Sequence, residues 1–125
     1  MNPQVKEKWV NALRSGEYKQ DISRLRSNDG NSFCCLGVLC DLYAKEHNED
    51  WQENENVSDD EFFIKDKFHF DGESEYLPES VVKWAELDGN CPNVFVSSSS
   101  EMSLAEINDN GWSFVEISLE IEKQL

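Results

Sequence analysis

The run Phe33-Cys34-Cys35-Leu36-Gly37-Val38-Leu39-Cys40 is apolar on every side and continues as Asp41-Leu42-Tyr43-Ala44-Lys45. Such a run fits a buried strand or a buried helix, and length decides: about twelve residues favours a helix. With Ser32 placed to cap it, the segment is predicted to be a central helix against which the other elements must pack. Gly37 in its middle costs about 1 kcal/mol relative to alanine, so close backbone packing is expected there as compensation.

The flanking segments read as smaller amphipathic pieces. Asn2 followed by Pro3 marks a helix start, Val5, Trp9, Ala12 and Leu13 share one face, and Ser15-Gly16 ends it. Residues 18–26 are expected to be extended, with Ile22 and Leu25 as core contacts, before the turn signal Asn28-Asp29-Gly30-Asn31. Phe62-Phe63-Ile64-Lys65 and Phe68-His69-Phe70 flank Asp66-Lys67 as a hairpin closed by Gly72. Leu77-Pro78 opens a third helix that carries Val81, Val82, Trp84, Ala85 and Leu87 and stops at Asp88-Gly89. Residues 92–96 form a strand candidate, and Ser97 to Ser100 a polar linker. Ser103…Glu106 and Ser113…Glu116 have the spacing of capping boxes, so a helical hairpin follows. Its last helix carries Phe114, Ile117, Ile121 and Leu125 on one stripe. The expected fold is a single α+β domain over residues 1–125, about five helices around a small antiparallel sheet, since this length suits one core.

Charge narrows the function classes. The chain has 26 acidic and 11 basic residues, a formal net charge of −15. Such a field disfavours phosphate backbones and anionic membranes and favours basic protein surfaces. Lys6, Lys8, Arg14, Lys19, Arg24 and Arg26 precede residue 30 against Glu7, Glu17, Asp21 and Asp29, which leaves about +2 there and about −17 beyond. The basic segment is therefore expected to pack against the acidic remainder. Between Glu46 and Glu61 there is no Lys or Arg and there are eight acidic residues. The candidate partner-binding residues are taken from this stretch: Glu49, Asp50, Glu53, Glu55, Asp59, Asp60 and Glu61.

The opening segment is polar and helix-like with no apolar h-region, and no stretch approaches the roughly 18 apolar residues of a membrane span. A cytoplasmic protein with reduced thiols is expected.

Taken in order, Trp9 with Ala12-Leu13-Arg14-Ser15-Gly16 and Tyr18, then Phe33 to Leu42, Leu77-Pro78, Trp84-Ala85, Leu104-Ala105, Asn108-Asp109, Gly111 and Ser113-Phe114 form a recognisable pattern. It resembles a family of small proteins encoded in tailed-phage and prophage genomes, nearly end to end, with residues 33–42 as its most specific part. The resemblance implies a setting in which small accessory proteins act on host machinery or host defence. It carries no functional residues, because the shared positions are core and cap residues, and the acidic stretch after Tyr43 lies outside it.

Catalytic and metal chemistry find little support. Cys34, Cys35, Cys40, Cys91, His47 and His69 lack zinc-site spacing: on a helix Cys34 and Cys40 lie about 240° apart and Cys35 and Cys40 about 140° apart. Cys35 at a helix start with His69 as base is a remote hydrolase alternative. The final helical hairpin has a helix-turn-helix outline, but Glu116, Glu120 and Glu122 would face the groove of DNA. No cofactor, no metal, no enzymatic activity and no direct nucleic-acid contact are expected. The leading expectation is an inhibitor that binds a basic host protein through a nucleic-acid-mimicking acidic surface. The alternative is a domain that sequesters a small nucleotide signal of host defence, with Arg24 and Arg26 as its ligand-binding residues.

Overall fold

A computed structural model describes residues 1–54 and 66–125. Asn2 starts the first helix, α1 (Pro3–Arg14), by accepting hydrogen bonds from the Gln4 and Val5 amides at 2.9 and 3.2 Å. Proline at the first position loses nothing, because that amide has no helical partner. α1 buries Val5, Trp9, Val10 and Leu13. The chain then makes β1 (Lys19–Gln20) and, after the turn at residues 28–31, β2 (Ser32–Phe33), which pairs with β1 in parallel.

The central helix, α2 (Cys35–His47), buries every residue of its first six, Cys35 to Cys40. It contacts α1 on one side and, on others, α3 (Glu79–Ala85) and α4 (Leu104–Asp109). The Trp9 indole donates to the Cys35 carbonyl at 2.9 Å, so the largest buried side chain of α1 also satisfies its only polar atom. Close backbone packing at Gly37 is present: a β-carbon there would stand 1.8 Å from the Leu25 carbonyl oxygen.

Two sequence expectations shift locally, and a third falls partly outside the described residues. Ser32 does not cap α2. It belongs to β2, and extended Cys34 precedes the helix without a side-chain cap bond of its own. Leu25 is fully buried, whereas Ile22 is 49 % exposed, because the chain turns at Ser23 (φ 68°) and the Ser23 amide is tied to Asp109 at 2.8 Å. The predicted strand Phe62 to Lys65 lies outside the described residues, and Phe68-His69 forms β4 against β3 (Gln52–Glu53), antiparallel.

The carboxy-terminal half follows its signals more closely. α3 ends on Glu86 in the left-handed region (φ 55°), two residues before the expected Asp88-Gly89 stop. β5 (Asn93–Ser97) pairs antiparallel with β6 (Ser100–Ser103), so the serine run is the hairpin's turn and not a linker. α4 and α5 (Phe114–Gln124) form the helical hairpin, and α5 carries the full reciprocal capping box of Ser113 and Glu116. The protein is α+β, with five helices and three two-stranded ladders among the described residues. One core, built from Trp9, Leu25, Leu36, Leu39, Phe70, Leu77, Ile107, Ile117 and Ile121 among others, joins all the helices.

Candidate functional site

α2 ends when Asn48 adopts the left-handed conformation (φ 54°), and the Glu49 amide closes the end by donating to the Ala44 carbonyl at 2.9 Å. This cap turns Glu49, Asp50, Trp51 and Glu53 back toward the turn at residues 28–31. The space between them is an open groove of about 980 Å³. Its walls include Arg26, Asp29, Asp41, Lys45, Glu49, Asp50, Trp51, Glu53, Lys67 and Phe68.

Two of the three cations that line the groove, Arg26 and Lys45, have partners on its walls. The Arg26 guanidinium lies 4.2 Å from the Phe68 ring centroid, with Phe33 at 5.3 Å and Trp51 at 5.5 Å, and Nε donates to the Gly30 carbonyl at 3.0 Å. Gly30 (φ 79°) permits this approach, since a β-carbon there would stand 3.2 Å from the Phe68 ring. Lys45 pairs with Asp41 at 3.3 Å and donates to the Tyr18 hydroxyl at 3.1 Å. Asp41 also accepts from the Tyr18 hydroxyl at 2.6 Å and from the Trp51 indole at 3.1 Å. Burial, and then the hydrogen bond to Asp41, hold the Tyr18 hydroxyl above the ordinary tyrosine value. The bond to Tyr18 raises Lys45.

Glu49, Asp50 and Glu53 are exposed, and among the described residues none of them lies within ion-pair distance of a basic side chain. Glu46, from the same acidic run, pairs with Lys8 at 3.3 Å. Together with Arg14–Glu122 and Arg24–Asp66, this gives the expected packing of basic amino-terminal residues against acidic ones.

The groove thus brings together Arg26 and three of the acidic candidates, two sets that the sequence left apart. Glu55, Asp59, Asp60 and Glu61 lie outside the described residues. Arg24 is not with Arg26: it pairs with Asp66 at 3.5 Å and does not line the groove. Asp29, Asp41, Lys45, Trp51, Lys67 and Phe68 are wall residues that sequence reasoning did not select. Trp51 had a signal, as the single aromatic residue within the acidic run.

The remote catalytic candidate is poorly placed. Cys35 is fully buried, its thiol points at the Leu104 carbonyl at 3.6 Å, and burial raises it well above the ordinary thiol value. His69, the base expected for it, lies in β4 opposite Gln52, its Nδ1 buried with no hydrogen-bond partner among the described residues. His47 is exposed against the Tyr43 carbonyl at 2.9 Å, at the opposite end of α2. Among the described residues no three His, Cys, Asp or Glu side chains gather as a metal centre requires, and no helix is long and apolar enough to cross a membrane.

Fold and groove define a small acidic α+β domain whose open cleft is lined by carboxylates over an aromatic wall. Residues 1–125 match the family described as Domain of unknown function (DUF8296), and the chain belongs to that family. No curated protein and no solved structure matches it.

Proposed function

We propose that this protein is a non-enzymatic binding protein that engages and inhibits a basic protein, using the acidic surface centred on Glu49, Asp50 and Glu53. The observation that carries this is the combination of a −15 net charge with three exposed carboxylates, not neutralised by described basic residues, along one groove. Carboxylates so placed raise encounter rates with basic surfaces and occupy lysines and arginines that otherwise hold phosphates. The phage and prophage resemblance of the sequence supplies the setting: a host-cell cytoplasm, and a host nucleic-acid-handling or defence protein as target.

The test is a tagged pull-down from host lysate, with and without nuclease, followed by mass spectrometry. A stoichiometric basic protein retained after nuclease is the expected result, with affinity falling as ionic strength rises. Capture that is lost with nuclease, or that ignores salt, would refute the proposal.

A second reading rests on Arg26. A guanidinium 4.2 Å from the Phe68 ring centroid and 5.5 Å from that of Trp51 offers a nucleotide both a phosphate partner and a stacking surface. It requires a thermal shift with a nucleotide alone.

A further inference from the structure

The groove has an apolar wall as well as an acidic one, and the two suit one kind of occupant. Trp51 and Phe68 line it alongside Glu49, Asp50 and Glu53, and its volume of about 980 Å³ is at the upper end for small-ligand sites. An open cleft of that size accommodates a length of polypeptide. The groove's lining carries more carboxylates than cations, Asp29, Asp41, Glu49, Asp50 and Glu53 against Arg26, Lys45 and Lys67, so its balance favours a positive occupant. Lys45 is matched by Asp41, and Arg26 is held on Phe68 with its Nε bonded to Gly30.

We infer that the groove takes an extended, arginine- or lysine-bearing segment of the partner. The occupant's charged heads meet Glu49, Asp50 and Glu53, and its methylene stems lie along the exposed part of Trp51. Long basic side chains divide in this way between an apolar surface for the stem and carboxylates for the head. This rests on the proposed binding of a basic protein and adds to it a place and a chemistry: a linear segment in one cleft, in contrast to a diffuse attraction spread over the whole acidic surface.

The distinction is measurable with two charge-matched double variants. Glu49→Lys with Glu53→Lys alters the groove, and Glu75→Lys with Glu101→Lys makes the same change in net charge at exposed positions outside it. The probe is a short fluorescein-labelled peptide of alternating arginine and glycine, titrated at low salt by anisotropy, with each variant's fold checked by its circular dichroism melt. The groove pair should weaken binding about tenfold and the remote pair by less than about threefold. In the parent protein, amide shifts on adding peptide should concentrate in residues 28–31 and 49–54.

Equal weakening by both pairs, with dispersed shifts, would overturn the inference and leave the charge-steered contact standing. Failure of the parent to bind the peptide while it still captures a basic protein in a salt-dependent way would likewise overturn the groove assignment alone. A salt-independent or nuclease-sensitive pull-down would remove the underlying proposal instead.

Discussion

The side chain of Asn108 supplies the cap that α2 lacks: its Oδ1 accepts a hydrogen bond from the Cys35 backbone amide at 3.2 Å. The same oxygen accepts from Gln20 Nε2 at 3.0 Å, and Nδ2 donates to the Asp21 carbonyl at 2.8 Å. One fully buried amide from α4 thus satisfies the buried amino-terminal end of the central helix and fixes the strand beside it. Asn108→Ala leaves the buried Cys35 amide without its acceptor and strips Asp21 of a donor. The expected loss is about 2–4 kcal/mol, read as a lower urea midpoint with an unchanged slope. Asn108→Asp keeps the acceptor but faces the Asp21 carbonyl with a carboxylate, so it should rescue little.

Gly37 reverses the usual sign of a helix substitution. In an open helix, glycine to alanine stabilises by about 1 kcal/mol. Here the added methyl meets the Leu25 carbonyl oxygen at 1.8 Å, a backbone atom that cannot swing aside and that already accepts from the Cys34 amide at 3.3 Å. Gly37→Ala should therefore destabilise by about 3 kcal/mol or prevent folding, checked by the thermal melt and by soluble yield.

Much of this architecture was written locally. Asn2-Pro3 and Ser113…Glu116 act within four residues of themselves, so α1 and α5 could be placed from sequence, and Gly37 announced a close contact without naming Leu25. The contacts that were not legible are long-range. Asn108 sits in Asn108-Asp109-Asn110-Gly111 and looks like an ordinary turn residue, yet its partner Cys35 is 73 positions away. Ser32 looked like a cap because nothing nearby reveals that β1 claims it as a strand. The groove shares this limitation: Arg26 and Glu53 come to line one groove only through the turn at residues 28–31 and the left-handed Asn48 cap, so the sequence treated them as rival sites.

The buried thiols set an alkaline limit to stability. Burial pushes Cys34 up to about 11 from an ordinary value of 9.0. The folded state therefore holds the proton more tightly than the unfolded chain. The stabilisation is complete below about pH 9 and is lost as pH rises toward 11, amounting to about 2–3 kcal/mol for this group. Urea midpoints measured from pH 7 to 11 should fall across that window, and less steeply in Cys34→Ala. At pH 8 a thiol reagent should modify partly exposed Cys91 well before Cys34, Cys35 or Cys40, which are buried.

Arg26 separates the two binding modes through opposite outcomes from one substitution. Arg26→Ala removes a guanidinium from the Phe68 face and the bond to Gly30, so stability should fall by about 1–2 kcal/mol. Its effect on binding depends on the occupant's charge. Removing a cation from the groove makes it more negative, so a basic segment should bind as well as to the parent or more tightly, once the variant is measured at a temperature where it is folded. A nucleotide would lose its phosphate partner and bind at least tenfold more weakly. Measuring the arginine peptide and a nucleoside triphosphate against the same variant therefore decides the sign: tighter peptide binding supports the acidic-groove proposal, and selective loss of the triphosphate supports sequestration.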